Sequence, residues 1–332
     1  MPRIDVEAIE DEWEEDHHLL SQRRRSDPLS EAAKTRRGEF DVGRVVAVDR
    51  GQVRVLFEGA VIPATFSGSM RGTKVAVGDR VRVRPPRHDS DTARIAELLD
   101  RRTVLVRTAD DAVDEERVVV ANADAIAVVL AAENLAMGVR FLDRVLVAAS
   151  VGGLAQVLVI NKVDLLPDRG PVDEVARRYA RLGVEVQLTS AQTGEGLDGL
   201  GELLTACWTA FTGHSGVGKS SLFNRLVPDA DHLIGETGRY GGRHTTAAAR
   251  AMHIPGLDAW LVDTPGVRSF GLGGIRPQDL GQHFPELGAL DCQLDDCVHD
   301  GEPGCALPTA TIHPDRLASY RRLLESLRVS SG

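Results

Sequence analysis

Residues 208–227 read WTAFTGHSGVGKSSLFNRLV, and this stretch decides the central fold. A short apolar run gives way to a glycine-rich loop and then to a segment with helical periodicity. Gly213-His214-Ser215-Gly216-Val217-Gly218-Lys219-Ser220 fits the pattern GxxxxGK[ST]. Such a loop needs glycine because its N–H groups must wrap a phosphate without interference from Cβ atoms. The helix that follows, through Ser220 and Ser221, points its positive end at the anion. In such a loop Lys219 neutralises the β- and γ-phosphate oxygens, and the Ser220 hydroxyl ligates magnesium. A glycine-rich turn that merely precedes a helix is the bland alternative.

The loop does not choose between adenine and guanine; a second motif does. AQVLVINKVDLL contains Asn161-Lys162-Val163-Asp164 at the end of an apolar run. A carboxylate at Asp164 can accept from both N1–H and the exocyclic amine of guanine, a donor pair that adenine lacks. Asn161 can reach the base edge and tie its loop to the phosphate loop, while the Lys162 stem lies along the purine face. Thr189-Ser190-Ala191 ends the next strand, where a backbone N–H of Ser190 or Ala191 can reach the guanine carbonyl. Asp263-Thr264-Pro265-Gly266 ends a later strand: Asp263 can hold the magnesium shell and the Gly266 N–H can sense the γ-phosphate. Gly241-Gly242-Arg243-His244-Thr245-Thr246 offers a threonine to the metal, with Thr246 favoured over Thr245. Val267 stands where Ras-like enzymes place a water-orienting Gln, so His244 becomes the candidate for holding the attacking water; a surface histidine without a role is the alternative.

In the usual order, phosphate loop, switch threonine, DxxG, NKxD and TSA follow one another. Here NKVD and TSA precede the loop and DTPG comes last. The set is complete but rotated, as a circular permutation leaves it. Alternating strand and helix patterns over residues 100–273 predict an α/β unit built on a parallel sheet.

Residues 40–99 differ. Period-two alternation punctuated by Gly51, Gly59, Gly68, Gly72 and Gly78 predicts a small antiparallel barrel of OB type, or a structural SH3-like barrel. The whole chain of 332 residues carries a net charge of −10, but this segment has ten Lys/Arg against seven Asp/Glu, a net of +3. Only there does electrostatics favour RNA. Residues 1–39 are charged and aperiodic, which predicts a flexible arm. Residues 274–332 read as short helical pieces around Cys292, Cys297, His299 and Cys305, four donors suited to one structural Zn²⁺. His283 and His313 fall outside that spacing, and Cys207 reads as a buried packing residue. Without an apolar leader or a run near ~20 apolar residues, the expected location is the cytoplasm, with no membrane partner.

The rotated order, GHSGVGKSSLFN, GRHTT, DTPGVRSFGL and the Cys/Cys/His/Cys spacing together resemble the ribosome small-subunit-dependent GTPase A family, also called RsgA or YjeQ, over residues 40 to about 325. The resemblance implies an N-terminal OB domain, a circularly permuted GTPase and a C-terminal zinc domain. It also implies a monomeric factor that binds GTP and GDP, the small ribosomal subunit and its rRNA. Such a factor acts in late maturation of that subunit, and its hydrolysis of GTP is stimulated by it. The family has a histidine matching His244 and a hydrophobic residue matching Val267. A GTP-dependent RNA-binding module with negligible turnover is the alternative. The long acidic arm and the low basicity outside the barrel depart from the family.

Overall fold

The computed structural model describes residues 41–49, 52–70, 72–85, 92–109, 112–227, 249–264, 270–272 and 274–330. Five strands form the N-terminal barrel: β1 (Asp41–Asp49), β2 (Gln52–Phe57), β3 (Ala60–Phe66), β4 (Arg80–Arg84) and β5 (Ala93–Leu98). They close in the order β1-β2-β3-β5-β4-β1, with β3 and β5 parallel and the other pairs antiparallel. That order is the OB arrangement and sets aside the SH3-like reading. The alternation has the expected cause. Val81 and Val83 point into a core with Val45, Val53, Val55 and Ile95, while Arg82 and Arg84 of the same strand face out. β5 completes the closure.

A hairpin outside the strand–helix alternation comes next: β6 (Val104–Ala109) and β7 (Ala112–Ala121) form their own two-stranded sheet. The α/β unit follows: β8 (Ala125–Ala131), α1 (Leu135–Val151), β9 (Ala155–Asn161), α2 (Gly170–Ala180), β10 (Glu185–Leu188), α3 (Leu197–Leu204), β11 (Trp208–Thr212), α4 (Lys219–Leu226), β12 (Arg250–Ile254) and β13 (Ala259–Asp263). The order β10-β9-β8-β11-β13 is parallel throughout. Every residue of β8 and β11 is buried, which is why these strands read as unbroken apolar runs. One correction applies: β12 lies antiparallel to β13. The Pro255–Leu257 turn between them is too short for a crossover, and only antiparallel strands can be joined so tightly.

Barrel and sheet are continuous, since β1 also pairs with β12 at Ala47 and Arg250. Beside that seam the Arg44 guanidinium lies 3.5 Å from the centre of the Trp208 ring, which stacks on Trp260 at 4.9 Å. Arg44 also donates to the Asn122 and Gly78 carbonyls, so its buried charge is hydrogen-bonded as well as stacked.

The C-terminal part contains a 3₁₀ segment (Pro277–His283), a single turn α5 (Pro285–Gly288) and the long helix α6 (Pro314–Ser330). Leu280, Phe284, Leu287, Tyr320, Leu323 and Leu324 pack with Val147 of α1. The two parts are also joined by charge. Fully buried Asp143 of α1 accepts from Tyr179 Oη at 2.7 Å and from Arg316 Nη1 at 2.5 Å. Arg316 continues to Glu286 at 2.6 and 3.1 Å. Glu286 and Asp143 together hold the Arg316 pKa above its usual value against the opposing effect of burial.

Removing one partner of a buried pair strands the other charge at a cost of about 3–5 kcal/mol. Arg316→Ala should therefore lower the midpoint of denaturation of the C-terminal part strongly. A double Asp143→Leu/Arg316→Leu variant should lose less than Arg316→Ala, because the fully buried Asp143 charge is then removed with its partner and only the part-exposed Glu286 loses its own. Urea titration of the three proteins measures this, and a single variant as stable as the parent contradicts it.

Candidate nucleotide site and metal centre

The carboxyl ends of β8, β9, β10, β11 and β13 converge on one edge of the sheet, where open α/β folds place ligands. From β11 the chain enters the phosphate loop. Gly213, Gly216 and Gly218 hold φ of +148°, +84° and +96°, and a Cβ at Gly218 would strike the Asn161 carboxamide. Lys219 opens α4 and curls back across the loop, donating through Nζ to the Gly213 and His214 carbonyls at 2.6 and 2.9 Å. Burial lowers its pKa, and the Asp263 charge opposes that shift. Asp263 and Phe211 are register partners on adjacent strands, so the carboxylate lies beside the loop. Ser220 and Ser221 are exposed in the first turn of α4.

Asn161 joins three loops. Its Nδ2 donates to the Val217 carbonyl at 2.9 Å, while its Oδ1 accepts from Thr189 Oγ1 at 3.3 Å and Ala191 N–H at 3.1 Å. The side chain is buried, so each bond is protected from water. Lys162 takes a left-handed backbone, φ +68°, and its Nζ meets Glu133 at 2.9 Å. Asp164 is exposed on the same loop. The N–H groups expected to reach a guanine carbonyl are engaged within the protein, Ser190 to the Glu195 carbonyl at 2.9 Å and Ala191 to Asn161. Arg225 of α4 supports this loop further, donating to the Ala191 and Gln192 carbonyls at 2.9 and 3.0 Å. His244, Thr245, Thr246, Gly266 and Val267, the expected switch and catalytic positions, lie outside the described residues.

The structure adds residues that the motifs did not name. Glu133 pins Lys162, and Arg169 bridges to Glu195 at 2.5 and 2.8 Å. Phe141 of α1 stands 4.6 Å from the His214 ring and 6.2 Å from Phe270, whose carbonyl accepts from Arg144 Nε at 2.9 Å. No motif spacing could have found these, although Arg169 and Glu195 do flank NKVD and TSA as a charge pair.

The Cys292, Cys297, His299 and Cys305 donor atoms all lie within 4.8 Å of one another. His299 Nδ1 is 3.5, 3.6 and 3.6 Å from the three sulfurs. A tetrahedron with Zn–S near ~2.3 Å and Zn–N near ~2.0 Å has edges of about 3.5–3.8 Å, so the set fits zinc. Backbone N–H groups of Ala306 and Leu307 point at Cys292 and Cys305 Sγ at 3.3 and 3.4 Å, ready to stabilise thiolates. Burial pushes the Cys297 thiol up to about 12 and holds His299 below its ordinary value. A thiolate there requires a cation, and the neutral imidazole keeps its lone pair for one. His283 bonds Ser150 Oγ at 2.9 Å instead, His313 lies beside Asp315, and Cys207 is buried apart from the cluster.

Residues 98–273 match the RsgA GTPase family. A "small ribosomal subunit biogenesis GTPase RsgA" of Chlorobaculum tepidum is 38% identical over 280 residues, 80% of this chain and 89% of its own. The protein of that name from Alcanivorax borkumensis is 39% identical over 264 residues, 76% of this chain and 74% of its own. The crystal structure of YjeQ from Thermotoga maritima superposes with a TM-score of 0.68 at 29% identity, covering 87% of this chain and 98% of that one. YloQ, a circularly permuted GTPase, gives 0.66 at 22% identity over 89% and 98%, a likeness of fold.

Metal analysis should find about one zinc per chain, since a single four-donor site exists among the described residues. Cys297→Ser should lose that metal and become protease-sensitive after residue 285, because turn-rich segments of this size rarely hold a core alone. Full metal content in the variant contradicts the assignment.

Proposed function

Since the chain belongs to the RsgA GTPase family, and is thus a GTP hydrolase of ribosome biogenesis, we propose that it acts on the small ribosomal subunit late in assembly, with GTP hydrolysis stimulated by that subunit. The names of those relatives support the subunit as partner, and the Asn161 junction supports the nucleotide site, since it brings NKVD, TSA and the phosphate loop to one point despite their rotated order.

In this reading Asp164 accepts from N1–H and the exocyclic amine of guanine, and the Lys162 stem covers the purine face. Residues 213–218 wrap the phosphates, and Lys219 exchanges its two loop carbonyls for phosphate oxygens. Ser220 and Asp263 fit a magnesium ion: one is an exposed hydroxyl at the start of α4, the other a carboxylate whose field reaches Lys219. Thr246 is the third proposed ligand, and Mg²⁺ supplies charge neutralisation of the phosphates. Zinc at the Cys₃His cluster is structural, since all four tetrahedral positions have protein donors.

Activation is proposed to occur in trans. Val267 offers no amide to orient water, and His244 follows Gly241 and Gly242, which make its loop entropically costly to order. Docking of the barrel, through the outward-facing Arg82 and Arg84 and the half-buried Arg80 of β4, would bring His244 to the γ-phosphate.

Two outcomes test the proposal. Asp164→Asn should weaken GTP sharply and favour the xanthosine nucleotide, whose base presents the complementary pattern; unchanged GTP binding would remove the base-site assignment. His244→Ala should bind nucleotide and subunit normally yet lose a factor on the order of 10²–10³ in subunit-stimulated turnover. Equal stimulation of both proteins excludes His244, and no stimulation of the parent removes the trans mechanism altogether.

A further inference from the structure

The Asp164 carboxylate makes no hydrogen bond or ion pair with any described residue, although it is an exposed acid on a loop that also carries Arg169. The two are five positions apart, and the Asp164 charge is felt by both Arg169 and Glu195. A guanidinium that reaches a carboxylate can pair with it through two parallel hydrogen bonds. Here Arg169 turns away, and both arms of its fork go to Glu195, at 2.5 and 2.8 Å. Glu195 belongs to the turn after Thr189-Ser190-Ala191 and is fixed there by its backbone. Its carbonyl accepts from Ser190 N–H at 2.9 Å, and its N–H donates to Thr193 Oγ1 at 3.3 Å.

The geometry of guanine gives this diversion its importance. The edge that guanine shows to a carboxylate is N1–H beside the C2 amine, two parallel donors on one planar N–C–N unit. An arginine side chain ends in the same unit, with a positive charge added. A free Arg169 is therefore a tethered competitor for the proposed base reader, and its effective concentration beside Asp164 is set by a five-residue loop.

We infer that Glu195 is a positioning residue for nucleotide binding: it occupies the Arg169 guanidinium and so keeps the Asp164 carboxylate open to guanine. The inference rests on the assignment of Asp164 as the base reader. It differs from a simple clasp between the two base-reading loops, because a clasp is lost equally when either partner is removed. A guard is lost only when Glu195 goes and Arg169 stays.

GTP dissociation constants of the full-length parent, Glu195→Ala, Arg169→Ala, the double variant and Asp164→Asn separate these cases. Glu195→Ala should bind GTP about two- to sixfold more weakly, the scale of one exposed ion pair acting in competition. Arg169→Ala should bind like the parent, and the double variant should return to the parental value. The inference is overturned if Glu195→Ala binds normally, if the double variant stays as weak as Glu195→Ala, or if Arg169→Ala is equally weak. Asp164→Asn tests the underlying assignment separately. If it keeps its preference for GTP over the xanthosine nucleotide, the base-site reading itself fails. If it switches preference while Glu195→Ala is unaffected, only the guard fails.

Discussion

Three loops from three different strands must meet within hydrogen-bonding distance of one another, and the side chain that holds them together is the Asn161 carboxamide. It donates to the loop after β11 and accepts twice from the loop after β10, from its own position at the end of β9. A buried amide bonded on both its nitrogen and its oxygen is held tightly: shifting any one loop by about an ångström breaks one of these bonds in a dry site, at a cost of roughly 1–3 kcal/mol. The spacing of phosphate loop, base loop and sheet edge is therefore fixed as a unit. The glycine at 218 belongs to the same constraint, because any side chain there would displace the carboxamide.

Helix α1 extends this unit in two directions. It places Phe141 against the phosphate-loop histidine and lets Arg144 grip the carbonyl of Phe270, four residues past Gly266. Its buried Asp143 and Val147 hold the C-terminal helix and its apolar cluster. The same helix thus touches the phosphate loop, the exit of the proposed γ-phosphate sensor and the metal-bearing part. On the other flank, Arg44 between two carbonyls and an indole ties the barrel to β11. The nucleotide unit is therefore braced on both sides by charged groups that burial makes intolerant of displacement.

Much of this was legible in the sequence because it depends on local chemistry. The glycines at 213, 216 and 218 hold positive φ as a phosphate loop requires, the outward arginines of β4 follow period two, and the Cys/His spacing brings four donors together. What stayed hidden depends on contacts between distant positions. Glu133 and Lys162, Arg169 and Glu195, and Asp143 and Arg316 are ordinary charges until the fold makes them neighbours. The β6–β7 hairpin is not legible because β7 carries Asp114, Glu115, Glu116 and Arg117 in a row, which interrupts the apolar alternation of a strand. The antiparallel direction of β12 is not legible because an apolar strand has the same composition in either direction.

The rotated motif order also imposes a sequence of events during synthesis. The chain grows from its N-terminus, so β8, β9 and β10 are made before β11 and β13 exist. In that interval β8, apolar on both faces, is the open edge of a three-stranded sheet, although it ends as an interior strand. Uncovered edges of this kind invite pairing with other chains. Helix α1, which follows β8 immediately, is the first element able to shield one face, and Val139, Leu142, Val145 and Leu146 are in place to do so. Asn161 likewise waits for the Val217 carbonyl, some 56 residues later. A GTPase with the usual order makes its central strand first and adds the base-reading loops last. Permutation reverses that order, so the nascent protein must carry its most apolar strand half-covered until the phosphate loop arrives.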